Sequence, residues 1–304
     1  MTGERVAIID LGSNTFHLLI CEIKADGTWA IIQKERIYVK LASGGMDYID
    51  ESSAERGLDA MTRFAEQILS YNVKHVRAIG TAALREAKNG RKIAEKFFAK
   101  TGLEVEIIDG QKEAGYILKG IKSCIPPLDR PGLIMDIGGG SVEFILFSGE
   151  KIIFKGSYKI GVAVLFRKFH HSDPISPDEI KKLETFLEDE LKELIKTVQV
   201  VPEYYLVGAS GSFEVIHDVL PRITESNHWA EMDHKGIIEY LNDVIDTNMK
   251  ARRLIPEIPI ERLDYIVVAY LLIRYIFRKI PPKRLFYCDF ALKEGVLAEI
   301  IETK

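Results

Sequence analysis

One short pattern occurs twice in this chain, and its repetition limits the fold more than any other feature. Residues 6–11 read Val-Ala-Ile-Ile-Asp-Leu and lead into Gly12-Ser13-Asn14-Thr15 and a second apolar run over 16–23. Residues 133–137 read Leu-Ile-Met-Asp-Ile and lead into Gly138-Gly139-Gly140-Ser141 and a second apolar run over 142–147. Each is an apolar strand ending in Asp-x-Gly, a small polar turn and a returning strand, which predicts a β-hairpin. The segments after the two hairpins also match. A third strand is predicted over 29–41 and again over 151–160, and an amphipathic helix over 53–70 and again over 177–197. A further strand then runs into small residues, over 76–83 and over 205–212. The second helix carries a strong start signal, with Ser176 as N-cap, Pro177 at the first helical position and Glu179 completing a capping box.

The order β-β-β-α-β, met twice, predicts two similar α/β domains facing a cleft. The first half adds a helix over 90–101 and a strand over 103–108, and the second adds helices over 235–249, 264–277 and 290–301. Pro126, Pro127 and Pro131 cluster between the halves and place the boundary there, giving domains 1–122 and 123–304. The last helix is left open to packing back on the first domain.

Composition narrows the partners. A hydrophobic content of 47% over 304 residues is ample for two cores. With 41 basic against 45 acidic residues the net charge is −4, which argues against nucleic acid as a partner. Cys21, Cys124 and Cys288 are few, odd in number and far apart in sequence, which suits reduced thiols in the cytoplasm. The N-terminus lacks a signal-peptide pattern. The apolar stretch 266–277 is too short to span a bilayer and reads as a buried helix, so no membrane partner is expected.

The turns point to phosphate. Gly and Ser let backbone N–H groups converge on one anion, and glycine removes the β-carbon that would keep a phosphate away. Gly138, Gly139, Gly140 and Ser141 form the sharpest such turn, with Ser13, Asn14 and Thr15 as their counterpart. Gly208, Ser210 and Gly211, opening a helix, add a helix N-terminus suited to an anion. A Gly-Gly-Gly turn by itself is more often just a tight hairpin. Two Asp-x-Gly hairpins at equivalent places in a duplicated chain favour an active site. Asp10 and Asp136 end their strands at the turns, and Glu143 shares a strand face with Ser141. Carboxylates beside a phosphate need a cation, and Mg²⁺ on Asp10, Asp136 and Glu143 is the natural bridge. His17 takes the place in the first repeat that Glu143 takes in the second, and suits phosphate contact and packing equally. His170 and His171 read as a solvated loop.

With these residues in view, the chain resembles the exopolyphosphatase and guanosine pentaphosphate phosphohydrolase (Ppx/GppA) family along nearly its whole length. Five blocks carry the resemblance: residues 9–15 (Ile-Asp-Leu-Gly-Ser-Asn-Thr), 80–87 (Gly-Thr-Ala-Ala-Leu-Arg-Glu-Ala), 107–114 (Ile-Ile-Asp-Gly-Gln-Lys-Glu-Ala), 136–143 (Asp-Ile-Gly-Gly-Gly-Ser-Val-Glu) and 293–297 (Lys-Glu-Gly-Val-Leu). The resemblance implies the duplicated actin-like ATPase (ribonuclease H-like) architecture. It implies that Glu113 activates the attacking water, that Arg85 faces the phosphates, and that Asp136 and Glu143 serve Mg²⁺-dependent activity. Spacing alone marks neither Glu113 nor Arg85. The chain departs from the family at Gly115, where an arginine is frequent, at Lys112, where a second glutamate is frequent, and at Ala291 and Lys293. It resembles a short form without the C-terminal helical module of longer members.

The expected activity is Mg²⁺-dependent release of terminal orthophosphate from inorganic polyphosphate by water. The alternatives are hydrolysis of guanosine pentaphosphate to tetraphosphate, which needs a base pocket the sequence does not show, and a phosphate-ligand sensor without turnover, suggested by Gly115 and Lys293. A kinase of the same fold ranks below these, since no adenosine-pocket glycine signature is visible. A homodimer is expected by family analogy alone.

Overall fold

The computed structural model describes residues 3–303. The chain divides into two compact units, Met1–Ser123 with Leu292–Lys304, and Cys124–Ala291. Unit 1 runs β1 (Glu4–Leu11), β2 (Thr15–Ile23), β3 (Trp29–Tyr38), α1 (Glu51–Ser70), β4 (His75–Gly80), α2 (Ala82–Glu86), α3 (Gly90–Thr101), β5 (Val105–Ile107) and α4 (Gly110–Lys122). Its sheet has the order β3-β2-β1-β4-β5, with β1, β2 and β3 antiparallel and β1, β4 and β5 parallel. Helix α1 shows why it forms. Asp50 caps it by accepting from the Ser53 amide at 2.9 Å, and Ala54, Gly57, Met61, Phe64 and Ile68 fall on one buried face at helical spacing.

Unit 2 begins β6 (Gly132–Ile137), β7 (Val142–Ser148), β8 (Lys151–Tyr158), α5 (Val162–Phe169), α6 (Pro177–Glu190), α7 (Lys192–Gln199), β9 (Tyr205–Ala209) and α8 (Gly211–Val219). It continues β10 (Arg222–Glu225), β11 (Trp229–Met232), α9 (Ile237–Ile245), α10 (Met249–Arg252), α11 (Ile266–Lys279) and β12 (Arg284–Cys288). The sheet order is β10-β11-β12-β9-β6-β7-β8, with β12, β9 and β6 parallel. Residues 266–277 of α11 are all buried, as an apolar run too short for a bilayer should be. No helix among the described residues is long and apolar enough to cross a membrane. The chain then returns to unit 1 as α12 (Leu292–Glu302).

The hairpins and the capping box at Ser176 and Glu179 stand where the sequence placed them, and the third strands start there but end early, at Tyr38 and Tyr158. Several boundaries differ for physical reasons. The expected helix 177–197 breaks at Leu191, which leaves helical geometry (φ −99°, ψ 8°) while its side chain stays wholly buried. The helix expected over 235–249 ends at Ile245, and Asn248 caps the separate short α10. The β10–β11 hairpin, a branch beyond the repeated core, was not anticipated; all of β10 is exposed, so no alternation marks it. Helix α5 extends the chain to Phe169, so His170 caps it and is buried, not solvated as expected.

Helix α12 crosses α4 at very short range. A β-carbon on Gly295 would lie 1.8 Å from the Tyr116 carbonyl oxygen, so only glycine permits this crossing. Gly295→Ala is expected to force the helices apart at a cost of about 1–3 kcal/mol, seen as a lower thermal midpoint by calorimetry. An unchanged midpoint would show that the crossing tolerates a methyl group.

Candidate active site

Parallel strands bring their carboxyl ends to one edge of a sheet, which is where α/β proteins collect ligand-binding loops. In unit 1 the ends of β1, β4 and β5 bring together the Asp10 turn, Thr81 and Ile108. In unit 2 the ends of β6 and β9 bring together the Asp136 turn and Ser210. Each edge is built by backbone bonds that can be traced atom by atom.

The two hairpin turns close alike. Gly12 N–H donates to Thr15 O at 3.1 Å, and Gly138 N–H donates to Ser141 O at 3.0 Å. A β-carbon on Gly12 would stand 2.8 Å from Thr15 O, and one on Gly138 would stand 3.0 Å from Ser141 O. Both turns are held from behind. In unit 2 the chain entering α5 donates from Gly161, Val162 and Ala163 to the carbonyls of Gly140, Gly138 and Gly139, at 3.3, 3.0 and 2.9 Å. In a planar trans peptide the N–H points opposite to the C=O. Tying these carbonyls to α5 therefore aims the amides of Gly139, Gly140 and Ser141 the other way, an orientation suited to an anion. In unit 1 a loop does the same work. Lys40 N–H donates to Asn14 O at 2.8 Å and Ala42 N–H to Ser13 O at 3.0 Å, which turns the amides of Asn14 and Thr15 outward. To reach Asn14, Lys40 adopts φ +50°, and β3 ends at Tyr38 short of the expected residue 41.

The side chains of this first turn match its amides. Ser13 Oγ and Asn14 Oδ1 are buried without a hydrogen-bond partner; the Ser13 hydroxyl can donate to an anion, whereas the Asn14 oxygen accepts and needs a donor. Asp10 faces His17 directly across the β1–β2 pair.

Arg85 and Glu113, far apart in sequence, meet in unit 1. Thr81 N–H donates to Leu11 O at 3.2 Å, which fixes α2 to the base of the Asp10 turn. Ile108 N–H donates to Gly80 O at 3.0 Å and fixes the start of α4 beside it. From α2, Arg85 Nη1 donates to Glu113 Oε2 at 2.8 Å and to Ile108 O at 3.0 Å, and its Nε reaches Glu86 at 3.3 Å. Glu113 sits in the first turn of α4, which Asp109 caps by accepting from Lys112 N–H at 2.7 Å. It is only 6% exposed, so the charge-assisted bond from Arg85 fixes its orientation. Lys112 has its own structural partner, an ion pair with Glu106. Arg77 joins this lattice, at 2.7 Å from Glu106 and 2.6 Å from Glu299 on α12. The hydrogen bond from Lys112 holds the Glu106 carboxyl below the usual carboxylate range, with Arg77 adding to it against partial burial. Gly115 has open space where a β-carbon would stand.

In unit 2 a row of register partners crosses the sheet: Ala209, Asp136, Glu143 and Ser157. Asp136 and Glu143 are directly opposite and buried, 6% and 2% exposed. The Ser157 hydroxyl donates to Glu143 at 2.7 Å and the Ser210 hydroxyl donates to Asp136. Ser210 stands at φ +70° as the N-cap of α8, and because its hydroxyl goes to Asp136, no side chain caps that helix. Its first amides thus have no side-chain cap. Gly208 lies inside β9, where a β-carbon would meet the Phe213 ring at 2.1 Å. Gly211 lies under Arg262, whose guanidinium donates to Gly211 O and pairs with Glu214 at 2.5 Å. Sequence reasoning missed Arg262, and a single arginine some fifty residues away carries no local signal.

Two opposed buried carboxylates repel unless a cation or proton lies between them. Hard oxygen donors of this kind fit Mg²⁺, which takes one or two carboxylates and keeps water and phosphate oxygens as its other ligands. Among the described residues no group of three or more His, Cys, Asp or Glu side chains forms a metal cage, so a cation on Asp136 and Glu143 needs those further ligands.

Comparison with known proteins gives the family of the chain. The model of the Ppx/GppA phosphatase family matches residues 19–304. The chain is similar to an exopolyphosphatase from Cytophaga hutchinsonii, at 30% identity and a TM-score of 0.92, covering 99% of this chain and 98% of that one. It is similar to the Aquifex aeolicus member of the Ppx/GppA family, at 25% identity and a TM-score of 0.79, covering 99% and 98%. It is 29% identical over 216 residues to a guanosine-5'-triphosphate,3'-diphosphate pyrophosphatase of Vibrio vulnificus, 70% of this chain but 43% of that enzyme.

The backing of the Gly138–Ser141 turn gives a direct test. A β-carbon on Gly161 would fall 2.4 Å from backbone atoms of Gly139 and Gly140. Gly161→Ala is expected to push the turn out of shape and weaken pyrophosphate binding about tenfold, near 1.4 kcal/mol, by titration calorimetry. Gly115→Ala is the control and should bind as wild type. Equal affinities for all three proteins would exclude this turn as the anion site.

Proposed function

Because the chain belongs to the Ppx/GppA phosphatase family, hydrolases of phosphoanhydride bonds, we propose that it releases terminal orthophosphate from inorganic polyphosphate. The observation that carries this reading is the set of tied-back carbonyls behind each Asp-x-Gly turn, which turns the amides of these glycine-containing turns the other way, where a phosphate chain could meet them. Likeness along the whole length to the Cytophaga exopolyphosphatase supports the same substrate.

The reaction is attack of water on the terminal phosphorus, in line with the departing oxygen of the shortened chain. Glu113 takes the proton from the attacking water as its oxygen bonds to phosphorus. Arg85 holds Glu113 Oε2 and so aims the carboxylate, and its guanidinium places positive charge beside the reacting phosphate. The amides of Asn14 and Thr15, with the Ser13 hydroxyl and the Asn14 amide, bind phosphate oxygens in unit 1. The amides of Gly139, Gly140 and Ser141 and the start of α8 at Ser210 and Gly211 do so in unit 2. Asp136 and Glu143 would hold Mg²⁺, with Asp10 as a further acid for its waters. When bound, the ion neutralises charge on the phosphoryl oxygens.

Glu113→Gln keeps the shape of the side chain and removes its basicity. Turnover is expected to fall about 10²–10⁴-fold with ligand binding retained, measured as Mg²⁺-dependent phosphate release from short and long polyphosphate, guanosine pentaphosphate and ATP. Release confined to the guanosine nucleotide would reassign the substrate, as the Vibrio similarity allows. Tight binding without release from any of the four would leave a phosphate sensor. Chelation with EDTA should abolish turnover and excess Mg²⁺ should restore it.

A further inference from the structure

The loop that ties back the first turn is itself held from α1. Arg56 Nε donates to Val39 O at 2.8 Å. Its Nη2 donates to Lys40 O at 3.2 Å and to the hydroxyls of Ser53 and Ser43 at 2.8 and 3.3 Å, and its Nη1 donates to the Ser52 hydroxyl at 2.8 Å. Each of these acceptors is uncharged. The carboxylate of Asp50 lies one hydroxyl further out, accepting from Ser53 at 2.7 Å. With φ +50° at Lys40, the carbonyls of both Val39 and Lys40 face the same guanidinium.

Two peptide groups lead from Arg56 to the turn. Val39 O accepts from Arg56, and the N–H of the same peptide, that of Lys40, donates to Asn14 O at 2.8 Å. Asn14 O belongs in turn to the peptide whose N–H is that of Thr15. A trans peptide points its N–H opposite to its C=O, so Arg56 Nε–H, Lys40 N–H and Thr15 N–H stand head to tail. Hydrogen bonds in series polarise one another, by about 10–30% per bond. A cation at the carbonyl end makes each N–H after it a stronger donor.

We propose that Arg56 is a positioning residue for anion binding at the Asp10 turn, which holds the Val39–Lys40 peptide in place and passes its positive charge through two peptide groups to the Thr15 amide. The proposal rests on the proposed function in one respect, that phosphate meets the Thr15 amide. The planar fork of arginine suits the task, because it grips two carbonyls at once where a lysine reaches one. Arg63, further along α1, lines the same cleft beside Val39 but pairs with Glu35, outside this series. It is an internal control.

Pyrophosphate would be titrated into the isotope-labelled full chain, with the Thr15 and Lys40 amides and the Nε–H groups of Arg56 and Arg63 followed by NMR. The Thr15, Lys40 and Arg56 signals should move downfield along one binding curve, with Arg63 unmoved. Movement of Thr15 while Lys40 and Arg56 stay still would overturn the relay. If Thr15 itself stays still, the turn is not the anion site, and the functional reading fails together with the relay. Arg56→Gln should weaken pyrophosphate binding about tenfold and raise KM for polyphosphate equally, with kcat unchanged. Arg56→Lys keeps the charge and should lose less, and Arg63→Gln should match wild type. Equal losses in Arg56→Lys and Arg56→Gln would overturn the transmission of charge, and wild-type affinity in Arg56→Gln would overturn the role of Arg56 altogether. If Arg56→Gln does not fold, the wild-type titration decides. If no substrate is turned over, the pyrophosphate affinities still do.

Discussion

The structure depends on what happens behind its two glycine-containing turns. A peptide group cannot direct its carbonyl and its amide to the same side, so a turn whose carbonyls are tied back must present its amides forward. In unit 2 the chain entering α5 ties back three carbonyls, and in unit 1 the Lys40–Ala42 loop ties back two. Neither turn needs a charged side chain to attract an anion, because the orientation is imposed from the rear. This explains the demand for glycine at Gly161, where the α5 entry lies against the turn itself. It also accounts for a non-glycine residue, Lys40, in a left-handed conformation. The strain there is sustained by bonds on both sides, since the Lys40 carbonyl accepts from Arg56 at 3.2 Å while its amide holds Asn14.

A second layer holds the acid. Glu113 owes its position to few covalent neighbours and many tertiary ones: Thr81 on Leu11, Ile108 on Gly80, and Arg85 reaching across to Oε2. Arg77, Glu106, Lys112, Tyr116 and Glu299 then bind α4 to β4, β5 and α12. A network of this kind contributes little net stability at the surface. Its geometric consequence is larger, because α4 cannot rotate about its own axis without breaking several of these bonds together.

This division between local pattern and tertiary bonding also decides how much was legible in the sequence. The hairpins were legible because apolar alternation and the Asp-x-Gly turn are local, and the duplication made each half a check on the other. The acids ending β1 and β6 were legible for the same reason. The backing of the turns was not, since Gly161 and Lys40 act through backbone amides, and any residue has one. Arg85 and Glu113 came only through the family resemblance, because their pairing is set by tertiary bonds. The break between α6 and α7 at Leu191 was not legible either, because the apolar helical spacing continues through it and Leu191 stays buried. Arg262 lay beyond any local pattern, although the structure sets it against Gly211.

The duplication also reaches further than the turns, and there it explains why the two halves are chemically unequal. In unit 1, β5 runs parallel to β4 and is followed by α4; in the second half, β12 runs parallel to β9 and is followed by α12. Both helices carry Lys-Glu in their first turn, as Lys112-Glu113 and Lys293-Glu294. Both glutamates are buried, yet their surroundings have diverged. Glu113 keeps 8% side-chain exposure and is aimed by an arginine from α2. Glu294 keeps none and is held by its own neighbour Lys293 at 3.1 Å. The reason lies in the helix crossing. Gly295 brings α12 against the Tyr116 carbonyl of α4, which encloses Glu294 while leaving the first turn of α4 at the sheet edge. The two glutamates of the repeated Lys-Glu pair thus differ in enclosure and in the cation that holds each of them. The hairpins diverged in parallel: the position opposite the strand-ending aspartate is His17 in one half and Glu143 in the other. An Asp–Glu pair repels where an Asp–His pair does not, so on the function proposed above a cation would sit with the unit 2 turn.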